Sequence, residues 1–206
     1  MLIFIHQLSD PKECAALTKL CFLTALSSRD PGQEEGHLEN EFFKEFSEIA
    51  VEAVDYSEQE MLGRLIMTFM MAALKTGNDR NADIYSDLIR EFFHNEVKPV
   101  LPPKDFIQHL SEELRETIFF DIANKLLEKQ IEKKVFAFFT PQQKKLFFFE
   151  CCTMSHADGA CSENEKRFLY RVAEALDIEE DLAEELAEQA VKYLEVFAET
   201  VDIINE

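Results

Sequence analysis

The sequence predicts an all-α protein, a compact bundle of about eight helices. Three observations carry that prediction. Only 5 Gly and 6 Pro punctuate 206 residues, so strong turn signals are few. Apolar residues recur at three- and four-residue spacing over long stretches, the period of an amphipathic helix. Several helix starts are marked by side chains suited to capping free backbone N–H groups. Apolar residues make up 47% of the chain, enough for a core and too many for general disorder. With 19 Phe and no Trp, that core is built largely of phenyl rings.

The elements follow in order. Asp10-Pro11-Lys12-Glu13 opens the first helix with a cap, a proline at the first helical position and an acid in the first turn. Phe42, Phe43, Phe46, Ile49 and Ala50 form one face of the next. Ser57-Glu58-Gln59-Glu60 is a capping box. It precedes a face of Leu62, Leu65, Ile66, Phe69, Ala73 and Leu74, which Met61, Met67, Met70 and Met71 widen toward all-round burial. Ile84, Tyr85, Leu88, Ile89, Phe92 and Phe93 repeat cleanly. Leu110, Leu114, Ile118 and Ile122 begin a long helix that runs past Leu126. Thr140-Pro141-Gln142-Gln143 and Ser162-Glu163-Asn164-Glu165 are two more capping boxes. The second opens a short helix of Phe168, Leu169, Val172, Ala173 and Leu176. Asp177-Ile178-Glu179-Glu180 has the same layout and precedes a last stripe of Leu182, Leu186, Ala190, Tyr193, Phe197 and Val201.

Pro99-Val100-Leu101-Pro102-Pro103 is the one strong break. Five residues is an ordinary connection, and each half of about 100 residues would be a small core by itself. Residues 1–206 therefore read as a single domain with a bend, or a sub-domain boundary, at 99–103.

Charge narrows the partners. With 41 acids against 21 bases the formal charge is -20. Nucleic-acid binding needs cationic side chains that displace counterions, so that class is excluded. The same charge opposes docking on an anionic membrane. No apolar run reaches the ~18 residues of a transmembrane helix, and the short apolar start MLIFIHQ lacks the cationic region of a secretory signal. The five Cys are odd in number and without CxxC spacing, which reads as buried thiols in a reducing cytoplasm. Within the chain the charge is uneven. Residues 150–206 carry 16 acids and 4 bases, whereas 125–145 carry six Lys and two Glu. That basic stretch lies beside Phe136, Phe138, Phe139, Phe147, Phe148 and Phe149. Two readings of the 136–149 region stay open: packed core, or a contact that forms a homodimer.

The segment Ser155-His156-Ala157-Asp158-Gly159-Ala160-Cys161-Ser162-Glu163-Asn164-Glu165 stands apart. Asp158-Gly159 is a turn signal, Ser162 caps the following helix, and Glu165 sits where it reaches back to the cap. One account is purely structural. The other is a divalent cation, because two carboxylates with loop carbonyls make an oxygen-rich site of the kind Ca²⁺ or Mg²⁺ accepts. The loop is not an EF-hand, lacking acids at alternating positions.

The pattern Ala157-Asp158-Gly159, Ser162 and Glu165, followed by Phe168, Leu169, Ala173, Leu176 and Ile178, resembles the TerB-like family. That family includes tellurite-resistance proteins and the N-terminal domain of the DjlA co-chaperone. The resemblance covers about 45 residues near the C-terminus. It implies a second, pseudo-symmetric corner near the N-terminus. Leu26-Ser27-Ser28-Arg29-Asp30 parallels Met154 to Asp158, and Glu39 pairs with Glu165 when the apolar faces are kept in phase. Pro31 and two extra residues make this a degenerate copy. The resemblance implies that Asp30, Glu39, Asp158 and Glu165 line a shared site for a cation or a partner, in a stress or metal-resistance setting.

The expected function is a non-enzymatic, cytoplasmic binding module of TerB-like type that takes a divalent cation or a basic partner protein. The alternative is an acidic immunity or inhibitor protein that neutralises a cationic partner. A di-metal carboxylate enzyme needs two helical Glu-x-x-His pairs. Glu91-Phe92-Phe93-His94 supplies one, and Glu34-Glu35-Gly36-His37 falls in a predicted loop. His6, His109 and His156 lie apart from any nucleophile pattern.

Overall fold

The computed structural model describes Leu8 and residues 10–27, 62–69, 79–107, 109–156 and 161–205. Over these residues the protein is helical, as the sequence predicts. Helix α1 spans Pro11–Leu26 and α2 Asp79–Phe92, and α2 continues into a π-helical turn, Phe93–Val97. Helix α3 is the short Lys104–Ile107, α4 is Glu112–Glu132, α5 is Pro141–Met154, α6 is Glu163–Ala175 and α7 is Glu180–Asn205. Residues 62–69 are helical as well. The predicted faces at 42–50, the Ser57 capping box and the corner around Asp30 lie outside the described residues.

The marked starts form as their residues dictate. Asp10 caps α1, its carboxylate accepting from the Lys12 amide at 2.7 Å with Pro11 in the first turn. Thr140 and Gln143 form a reciprocal capping box on α5, and Ser162 and Glu165 form one on α6. One predicted start is different. Asp177 does not cap α7, which begins at Glu180. Asp177 instead takes a positive φ of 55° just past the end of α6. Its amide reaches Glu174 O at 3.1 Å and the Ile178 amide reaches Ala173 O at 2.9 Å. These two bonds define a Schellman stop. Helix α4 stops in the same way at Lys134, φ 56°, with Lys134 N to Ile131 O and Val135 N to Gln130 O. Neither stop uses glycine, the residue that usually marks one.

Helix α1 is the centre of the bundle and packs against α2, α4, α5 and α6. Leu17, Leu20, Phe22, Leu23 and Leu26 are fully buried in it. Its polar groups do not oppose this, because they are satisfied internally. Thr18 Oγ1 donates to Cys14 O at 2.9 Å, Thr24 Oγ1 to Leu20 O at 3.0 Å, and the Tyr85 hydroxyl lies 2.9 Å from Thr18 Oγ1. Phe22 meets Phe92 and Phe93 edge-on, at centroid separations of 6.0 and 4.8 Å. One buried cluster runs through residues on both sides of the 99–103 break, from Leu17 to Phe93 and from Phe119 to Ala190.

Most of the Phe-rich stretch is core. Phe136, Phe147, Phe148 and Phe149 are buried, Phe139 packs on Phe147 at 4.9 Å, and Phe138 alone of this group is exposed, at 88%. Cys14, Cys21, Cys151 and Cys152 are buried thiols and Cys161 is half-buried, and none of the five is in a disulfide. Burial, aided by a hydrogen bond with Cys151, holds the Cys21 thiol well above its ordinary pKa, and burial pushes Cys14 up to about 12. Both thiols stay protonated and unreactive.

Candidate functional site

Of the four carboxylates expected to line a cation site, the structure describes Glu165. Asp30, Glu39 and Asp158 lie outside the described residues. Glu165 is buried, and its Oε2 accepts the Ser162 amide at 2.7 Å while its own amide donates to Ser162 Oγ at 3.2 Å. The carboxylate is engaged in the cap. His156, before the corner, donates from Nδ1 to Cys152 O at 2.8 Å or shares that nitrogen with Ser155 Oγ at 3.1 Å. No group of three or more His, Cys, Asp or Glu among the described residues is placed to hold a metal ion. Glu91 and His94 face solvent on either side of the buried Phe92 and Phe93.

A buried charge cluster escaped the sequence reading. Glu96, in the π-helical turn, is 4% exposed. Its Oε2 accepts from Gln130 Nε2 at 2.8 Å and its Oε1 from Lys133 Nζ at 2.8 Å, with Lys129 Nζ 3.7 Å away. Burial raises the Glu96 pKa, but hydrogen bonds from Lys133 and Gln130 and the charges of Lys133 and Lys129 outweigh it, so the net shift is downward. Lys19 lies near this cluster with its ammonium 5.3 Å from the Phe92 ring centre. Burial depresses its pKa and the charge of Glu96 opposes that. The cluster ties α4 to the α2 end, a structural task. A lone Glu in His94-Asn95-Glu96-Val97 carries no signal that would find it.

Helix α7 has the most distinctive surface. Lys144, near the start of α5, pairs with Asp177 just before α7 at 2.5 Å. Phe148 then lines a small apolar cavity of about 100 Å³ with Ala183, Glu184 and Ala187. The two helices therefore start together and run in one direction. Helix α5 has 14 residues and α7 has 26. At 1.5 Å per residue these are about 21 and 39 Å long, so α7 runs about 18 Å past the end of α5.

The two faces of α7 differ. At about 100° per residue, Ala183, Leu186, Ala190 and Tyr193 share one face, and they are the residues that pack on the core. Phe197, Val201 and Ile204 continue that stripe, yet they are 38, 37 and 75% exposed. Residues 195–201, Ile203 and Ile204 are exposed. On the opposite face Asp181, Glu184, Glu188, Glu195 and Glu199 lie within about 60° of one another. All five are exposed, and Lys192, paired with Glu188 at 3.6 Å, is the only base on the helix. The stripe was legible in the sequence. That it runs past α5 was not, although the unequal helix lengths are the signal.

No helix among the described residues is long and apolar enough to cross a membrane. Compared with protein-family models, with curated proteins and with solved structures, the chain matches none of them.

Proposed function

We propose that the protein is a non-enzymatic docking module that recognises a cationic partner protein along α7. The observation that carries this reading is the one-sided acidic ridge: five exposed carboxylates on one face, from Asp181 to Glu199, about 27 Å apart end to end at 1.5 Å per residue. Charges aligned on a rigid helix steer an oppositely charged partner and set its register more than they add raw affinity. The engagement of Glu165 in the cap favours a partner over a divalent cation as the ligand of the acidic C-terminal region. The TerB-like resemblance of the corner supports a binding role in the same direction, with Ca²⁺ or Mg²⁺ at Asp158 and Glu165 as the family-type alternative. An inhibitor of a cationic protein is one form this docking takes.

The test is fluorescence anisotropy with a labelled Lys- and Arg-rich helical peptide. The expected result is saturable binding that weakens steeply with salt and is lost in the Glu188→Lys/Glu195→Lys/Glu199→Lys variant. Equal binding by this variant and the parent chain would sink the proposal. Calorimetric titration of Ca²⁺ and Mg²⁺, with Asp158→Ala as control, tests the cation alternative.

A further inference from the structure

We infer that the cationic partner carries an aliphatic side chain beside its bases, and that this side chain seats in the cavity between α5, α6 and α7. This rests on the docking reading proposed above and names what the partner presents besides charge.

The cavity suits an apolar group. Phe148 of α5, Leu169 of α6 and Ala183 of α7 line it and are buried. Ala187, one turn further along α7, lines it as well. Two alanines leave the space open, since a larger side chain at either position would fill it. The exposed lining residues are Tyr170, Glu184 and Lys166, so the mouth lies between α6 and α7. The volume is about 100 Å³. A dry cavity of about 150 Å³ holds benzene, so this one admits about four carbons, the side chain of Leu or Ile. Apolar walls offer water few hydrogen bonds, and replacing that water with carbon is favourable.

Charge and position select the occupant. Glu184 belongs both to the cavity mouth and to the acidic ridge. Ala187 lies about 60° from Glu184 around α7, so one helix laid along the ridge reaches both. Only Asp181 of the ridge precedes Glu184. Glu188, Glu195 and Glu199 follow it over about 22 Å. The aliphatic residue therefore lies near one end of the partner's basic segment rather than in its middle. On the α6 side of the mouth, Lys166 pairs with Glu163 at 3.9 Å. Its charge repels a base there and turns the partner's bases toward α7. A neutral segment gains the cavity without the ridge, and a purely basic one gains the ridge without the cavity. A segment that brings both is preferred to either.

Fluorescence anisotropy of the full chain with three labelled helical peptides tests this. The peptides share one Lys- and Arg-rich sequence and carry Leu near the N-terminus, Leu near the C-terminus, or Ala at both places. The direction in which the partner lies decides which Leu peptide fits. The expected result is that one Leu peptide binds at least about tenfold more tightly than the Ala peptide. That ratio should hold as salt is raised, because apolar burial is not screened, while all three affinities fall. Ala187→Leu fills the cavity and should bring the ratio close to one. The same variant should bind the Ala peptide as the parent chain does, which also reports that it is folded. In the parent complex the Leu methyls should show nuclear Overhauser contacts with the Phe148 ring, a readout that needs no substitution. The inference is overturned if the three peptides bind alike, if the Leu preference survives Ala187→Leu, or if the Leu methyls contact no cavity residue. Each of those outcomes leaves the acidic ridge standing as a docking surface. Failure of all three peptides to bind removes the docking reading itself, and this inference with it.

Discussion

Helix α1 buries twelve of its 16 residues, whereas α7, with 26, fully buries Ala183 and Ala190. Both helices carry long apolar runs, and their fates differ through what stands beside them. Helix α1 has neighbours on all sides and its threonine hydroxyls are answered by its own carbonyls or by Tyr85. Among the described residues, helix α7 packs on α5 and, to a lesser extent, on α6, in both cases along one face. The difference teaches that an apolar stripe reports a capacity for burial, while helix lengths and packing order decide where that capacity is met.

Substitutions sharpen this contrast, beginning with the largest effect. Phe22→Ala in α1 should destabilise the fold by about 3–5 kcal/mol, the cost of a lost phenyl ring and the cavity it leaves. Thermal or urea unfolding measures it. A cost below about 1 kcal/mol would mean that α1 is not the centre described here.

Glu96→Ala comes next. Removing the carboxylate leaves Gln130 and Lys133 without their acceptor. Fully buried pairs broken in this way cost about 3–5 kcal/mol. Lys129 and Lys133 are nearly half exposed and regain water, so the expected loss is nearer 2 kcal/mol. The pH dependence has a definite sign. The folded pKa of Glu96 lies below its ordinary value, so its contribution is fully present above about pH 4.3. It is lost as pH falls through the folded pKa. Urea midpoints measured down a pH series should therefore fall less steeply on the acid side in Glu96→Gln than in the parent chain. Parallel curves would argue against the Lys133 contact.

Glu165→Ala should cost about 1 kcal/mol through loss of the reciprocal cap on α6. Glu165→Gln should recover most of it, since an amide oxygen also accepts the Ser162 N–H. If the two variants were equally unstable, the negative charge rather than the hydrogen bond would be what matters there.

The smallest effect is expected at the C-terminal end of α7. Ile204→Asp should change monomer stability by no more than about 0.5 kcal/mol, although it replaces an apolar residue with a charge. A large loss at low protein concentration would place residues 195–204 in the body of the fold and erase the contrast with α1.

Legibility followed the range of the interaction. Asp10, Thr140 and Ser162 act on amides within three residues, and their caps were visible from spacing alone. Asp177 had the same local pattern and took another role, because its carboxylate meets Lys144 thirty-three residues away. The ends of α4 and α6 were hidden because Lys134 and Asp177 occupy left-handed positions that glycine usually announces. Glu96 was invisible, since its partners Gln130 and Lys133 lie on a helix far along the chain. In the candidate site, the acids and the stripe of α7 were both readable. Their separation onto opposite faces also follows from the helical period.

By itself the sequence determined the helical class, the capped starts, the buried identity of most phenylalanines and the acidic character of the C-terminal helix. Each depends on period, on composition or on contacts within one helical turn. The tertiary structure decided that α1 lies at the centre, that Glu96 is buried among lysines, and that α7 extends beyond α5 with the end of its stripe partly exposed. Those outcomes depend on which helices lie side by side and how far each runs. Packing sums contacts between residues distant in sequence, and no local pattern records that sum.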